Sequence, residues 1–155
     1  MQMTVRTRPL EEGPEYFWER FSAYAQSFPV SPEPVGSPLI EVVTPLGPLY
    51  AFDRGLAPFS GGETPLILHG QVELWEEVQG QREAVRRLEG GRYAFSGQVE
   101  AVLEPPFFVL RVLGPEGQAG FRLVLAALEP PPAGGWVVVR LRPPLMAFRP
   151  EVLGR

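Results

Sequence analysis

The sequence predicts a mainly β fold, bordering on α+β: an antiparallel β-barrel or sandwich of about six to eight short strands with one N-terminal helix packed against it. Three observations carry this. Apolar segments with period-two alternation recur from residue 39 to residue 148. The 19 prolines and 17 glycines fall mostly between those segments, where they stop strands and shape turns. One helical stripe opens the chain, and no strand–helix–strand rhythm follows it. A length of 155 residues suits one compact domain, 1–155, with a real core.

Residues 11–28 read as the helix. Glu11 and Glu12 suit its positive N-terminal end, Pro14 its first turn, and Phe17, Phe21, Tyr24 and Phe28 recur at helical spacing. The stripe is aromatic and Arg20 is its one cation, so it reads as packing over a sheet rather than as a membrane-surface helix. From Pro29 to Pro38 four prolines remove N–H donors and restrict their predecessors, which predicts an extended connector, 29–38. The β-rich body, 39–149, begins with Leu39–Thr44 and Leu49–Phe52 as a hairpin across the turn Thr44-Pro45-Leu46-Gly47. Leu66–Val78 alternates, with Leu66, Leu68, Val72 and Leu74 on one face and His69, Gln71, Glu73, Trp75 and Glu77 on the other. Residues 81–89 are expected to form a short helix stopped at Gly90-Gly91, with a hairpin through Gln79-Gly80 as the rival. Strands follow at Tyr93–Leu103, Phe107–Leu113, Phe121–Leu128 and Trp136–Arg142. Pro143-Pro144 then end the last of them before an apolar segment, Leu145–Phe148. The tetrapeptide Gly-Gln-Val-Glu occurs twice, at 70–73 and 97–100, each time inside an alternating strand.

Composition excludes whole classes of chemistry. The chain has no Cys, Lys or Asn, a single His and a single Asp, and all 14 cations are Arg. Missing Cys rules out disulfides, thiolate nucleophiles and cysteine-ligated zinc. Missing Lys rules out the P-loop and Schiff-base chemistry, and one His rules out the H-E-x-x-H metal helix, so no metal site is expected. Neither a dinucleotide fingerprint nor a G-x-S-x-G elbow is present, and no cofactor is expected. The lack of thermolabile Asn and Cys, together with many prolines between apolar runs, suits a heat-adapted protein of a bacterium or archaeon. Met1–Pro14 holds no signal-like apolar stretch and no window approaches about 18 continuous apolar residues, so the expectation is a cytoplasmic protein with no membrane partner.

Net charge is −4, divided as −6 over residues 1–91 and +2 over residues 92–155. Nucleic-acid binding over the whole surface is therefore disfavoured, while a basic face in the C-terminal half is allowed. There Arg122, Arg140 and Arg142 stand opposite the aliphatic positions of their strands, Trp136 shares the face of Arg140 and Arg142, and Arg111 shares that of Phe107. Arg111, Arg122, Trp136, Arg140 and Arg142 are accordingly the candidate binding residues: guanidinium groups follow phosphates and an indole stacks on a base. Residues 92–149 have a strand rhythm similar to that of an OB-type barrel. The catalytic candidates are His69 and Asp53, with Ser60 as a third member of a triad, and a ligand-binding barrel centred on His69 belongs to the same reading. The glycine-rich stretch Ser60–Thr64 suits either an anion nest or a surface turn. The function expected first is a non-catalytic binding or protein-interaction module, partnered by another protein or by a second copy as a homo-oligomer. A single-stranded nucleic-acid binder and a small hydrolase are the alternatives.

Overall fold

The computed structural model describes residues 14–32, 38–55, 61–80 and 82–150. Its aromatic N-terminal stripe forms a helix, α1 (Pro14–Phe21), followed by one 3₁₀ turn at Ser22–Tyr24. The helix stops well short of residue 28. Pro29 biases Phe28 towards extended backbone, and Phe28 and Val30 alternate into the core from a strand, β1 (Gln26–Pro32). Glu11 and Glu12 lie outside the described residues. The expected connector 29–38 is thus partly a strand, and its prolines sit where a ladder tolerates them. β1 pairs with one neighbour over residues 26–30 and with another over 30–32, so Pro29 and Pro32 each have an unpaired side on which a missing N–H is harmless.

β2 (Leu39–Thr44) and β3 (Gly47–Asp53) form the expected hairpin. The Thr44 hydroxyl donates to the Gly47 carbonyl at 2.7 Å and accepts the Leu46 N–H at 3.0 Å, and Gly47 takes a φ of 115° that favours glycine. β4 (Gly62–Glu77) follows as the longest strand. Val85–Arg87, placed in a helix by local pattern, is instead a strand, β5, paired antiparallel with β6 (Tyr93–Val102). Ala84 and Val85 pack on the core, and Gly90 and Gly91, both at positive φ, turn the chain back between Leu88 and Arg92. The rival hairpin through Gln79-Gly80 does not form, because β5 pairs with β6 and not with β4. β7 (Phe107–Val112) and β8 (Phe121–Ala126) follow as expected. β9 (Trp136–Phe148) runs on through Pro143-Pro144, which sequence placed at a strand end. The ladder steps from Arg142 to Met146 while β4 steps from Gln71 to His69, so residues 143–145 bulge out, and a bulge accepts proline.

Backbone pairing returns on itself twice. One circuit runs β1–β2–β3–β9–β4 and back to β1; the other runs β4–β8–β7–β6–β9 and back to β4. Both use the antiparallel β4–β9 ladder, while β3–β9 and β4–β8 are parallel. The fold is therefore mainly β with one helix, as its sequence implies, in a ring-like sheet of nine strands among the described residues. Residues 92–149 do not close by themselves: β6 to β9 form a circuit only with β4. Inward residues of both circuits, among them Phe28, Val42, Leu68, Phe95, Leu110, Leu123 and Val139, share one core. Outside the ring, Phe17 and Phe21 of α1 cover Ile67, Phe107, Val109, Val124 and Phe148. Arg20 ties the helix down through Glu104 at 2.6 Å. Among the described residues no helix is long and apolar enough to cross a membrane.

The repeated tetrapeptide marks one local geometry used twice. Its glycines, Gly70 and Gly97, lie where a neighbour comes too close for a Cβ, the Leu141 side chain in one case and the Arg111 carbonyl in the other. Its glutamates, Glu73 and Glu100, are the extra residues of two β-bulges. The first bulge reverses the alternation expected late in β4: Leu74 turns outward, 48% exposed, and Trp75 packs on the core.

Candidate functional site

β4 presents His69 on the outer face of the sheet, where α1 covers it completely, to 0% exposure. The imidazole lies among phenyl rings, with centroid distances of 4.9 Å to Phe17, 6.2 Å to Phe107 and 6.1 Å to Phe148. Nδ1 is 2.6 Å from the Val124 carbonyl, and a carbonyl only accepts, so Nδ1 carries the proton. Nε2 is buried without a hydrogen-bond partner among the described residues. Burial lowers the imidazole pKa from 6.5 to about 4; the bond to Val124 opposes the shift and the nearby Arg54 charge adds to it. The ring is neutral at neutral pH. Asp53, at the end of β3, is held elsewhere: Arg149 reaches its two oxygens at 2.8 and 2.9 Å, and the Gly55 N–H reaches one at 3.0 Å. Gly55 has no room for a side chain, since an added Cβ would meet the Arg149 guanidinium at 2.5 Å. The two catalytic candidates thus have separate partners, Val124 and Arg149. Ser60 lies outside the described residues. Gly62–Thr64 are strand residues facing Phe28–Val30 across the β1–β4 ladder, in place of the turn or nest expected there.

Register gathers most of the basic candidates. Arg122 on β8 faces Arg111 on β7, Arg111 faces Gln98 on β6, and Gln98 faces Trp136 on β9. With strands about 4.8 Å apart, this row crosses about 14 Å of the outer surface. The Gln26 side-chain amide bonds both backbone groups of Arg122, accepting its N–H at 3.0 Å and donating to its carbonyl at 3.1 Å. Those groups therefore point away from β7, and Arg111–Arg122 is a non-hydrogen-bonded pair, the type whose Cα atoms approach to about 4.5 Å. Two like charges directly opposite destabilise a ladder. Glu100 relieves one of them, accepting from Arg122 Nε at 2.8 Å. Arg111 is exposed and has no acidic partner among the described residues.

Arg140 and Arg142 share that outer face but sit further along β9. Arg140 lies opposite Ala94 and Leu74, and Arg142 opposite Gln71, about 13 and 20 Å from Trp136 at strand rise. The structure brings Arg111, Arg122 and Trp136 into one row and sets Arg140 and Arg142 as a separate arm. Next to the arginine pair, the β7–β8 turn walls a concavity of about 430 Å³, with Glu116 in the left-handed region at φ 52°. Gln26, Gln98 and Glu100 belong to this site and were not singled out by sequence. Gln26 fell within the expected helix, and the Glu100 bulge leaves no mark in an alternating pattern. Among the described residues no group of His, Asp and Glu is placed to hold a metal ion. Compared with family models, with curated proteins and with solved structures, the chain matches none of them.

Proposed function

We propose that this chain is a non-catalytic binding module that engages single-stranded nucleic acid on the outer face of β6 to β9. The observation that carries this reading is the row Arg122–Arg111–Gln98–Trp136. It sets two arginines directly opposite each other across the β7–β8 ladder, one without an acidic partner among the described residues, in line with a tryptophan. A phosphate between the arginines relieves their repulsion and gains charge-assisted hydrogen bonds. Trp136 then lies about 10 Å away across two strands, within reach of a neighbouring base for stacking. The chain's net charge of −4 keeps the attraction local, so binding is modest and salt-sensitive. A hydrolytic role has less support, because the unprotonated nitrogen of His69 faces phenyl rings and Asp53 is committed to Arg149. A cytoplasmic setting and a heat-adapted host belong to the same reading.

The test is titration with a short single-stranded oligonucleotide at low salt, followed by tryptophan fluorescence. Quenching is expected in the wild type and not in Trp136→Phe, since Trp18, on α1, packs against the cluster that the helix covers and Trp75 is bonded to the Glu129 carbonyl. Arg111→Gln should weaken binding several-fold and reduce the slope of log K against log salt by about 0.7, the value of one phosphate contact on a single strand. An unquenched Trp136 at low salt sinks the proposal.

A further inference from the structure

The two circuits of the ring meet again on the side away from the β4–β9 ladder, between β3 and β5, and there no backbone ladder joins them. β3 is paired with β2 along one edge, while β9 pairs with its other edge at Phe52 and Asp53, so that among the described residues no strand runs beside Pro48–Ala51 there. β5 is the terminal strand of the sheet on the opposite bank. Side chains bridge the gap: the Tyr50 N–H donates to the Tyr93 hydroxyl at 2.9 Å, and Arg87 donates to the Pro48 carbonyl at 3.2 Å with its guanidinium 5.3 Å from the Tyr50 ring centre.

A cleft of about 300 Å³ opens along this seam. Tyr93 and Leu145, both buried members of the main core, form its floor. Leu39 and Tyr50 stand at one side, the β9 bulge at another, and the exposed Arg87 and Arg92 mark its mouth. No acidic side chain lines it among the described residues. The backbone carbonyl of Arg92 accepts the Leu88 N–H at 2.9 Å, but its side chain makes no hydrogen bond or ion pair among the described residues, so one guanidinium at the mouth is uncommitted. An apolar concavity of this size with a few polar groups at one end is the usual form of a small-molecule site. The planar guanidinium fork matches a carboxylate.

We propose that the β3–β5 seam binds a small apolar molecule bearing one carboxylate, its hydrocarbon or aryl body on Tyr93 and Leu145 and its anionic end at Arg92. Such a ligand occupies the gap that side chains alone now bridge, and it holds the two circuits together where the backbone does not. The site is remote in register from the Arg111–Arg122 row and does not depend on nucleic-acid binding.

Isothermal titration of the full chain with decanoate and with decanol tests this. Decanoate is expected to bind at one site at millimolar concentration or below and to raise the melting temperature, with decanol binding about tenfold more weakly for want of the charge-assisted contact. Arg92→Glu, at an exposed position whose side chain has no partner among the described residues, should bring decanoate down to the decanol level and leave decanol unchanged. Leu39→Trp, which fills the mouth, should weaken both, with circular dichroism confirming the fold. Arg111→Gln should alter neither. Absence of decanoate binding, equal binding to wild type and Arg92→Glu, or loss in Arg111→Gln overturns the proposal, whatever the outcome with oligonucleotides.

Discussion

His69 couples the helix to acid. Its folded pKa of about 4 lies below the ordinary 6.5, so between those values the unfolded chain takes up a proton that the folded chain refuses. The contribution of His69 to stability is therefore complete above pH 6.5, falls as pH drops towards about 4, and levels off below; the full shift is worth about 3 kcal/mol. Urea midpoints measured from pH 7.5 down to 4 should show this decline beyond that of the carboxylates, and His69→Gln, which keeps a donor for Val124 and does not titrate, should remove that component. Alternation along β4 identified the face of His69 correctly, and the rarity of His and Asp drew attention to both. Neither signal says what covers a face. α1 arrives from about fifty residues upstream, and Arg149 reaches Asp53 from 96 residues downstream, so burial of one group and pairing of the other were illegible locally.

At the scale of single strands, β-bulges and close approaches separate what sequence disclosed from what it hid. β2, β3, β6, β7 and β8 were legible because their alternation is clean and turn residues bound them. β5 was not, because Glu83 and Arg87 have helical spacing and only the ladder with β6 outweighs it. β1 and β9 were misjudged at their prolines, since an unpaired side or a bulge, invisible in one strand alone, makes proline harmless. The two glycines of the repeated tetrapeptide give a measurable contrast. Gly97→Ala drives a methyl into the Arg111 carbonyl, so backbone must move, and a loss of about 2–3 kcal/mol is expected in urea unfolding. Gly70→Ala meets only the end of the Leu141 side chain, at 2.6 Å, and should lose about 1 kcal/mol or less. Gly97→Ala should also weaken oligonucleotide binding, as it displaces Arg111 within its row, whereas Gly70→Ala should not.

For the molecule as a whole, the sequence announced strands and one helix but not how they join. Ring closure depends on which distant strands pair, including the parallel β4–β8 and β3–β9 contacts, and no composition or period encodes that choice. Arg111, Arg122 and Trp136 were legible as a set of residues, and only register shows them to form one row, the candidate site. The shared β4–β9 ladder also determines how the chain can be divided. A cut between β4 and β5 leaves β1 to β4 on one piece and β5 to β9 on the other, and each circuit then lacks a member that the other piece holds. Residues 1–80 and 81–155, made as separate chains, should each fail to fold alone and should recover native circular dichroism as a one-to-one complex on mixing. Folding would then be a recognition event between two polypeptides, with the ladder serving as their interface.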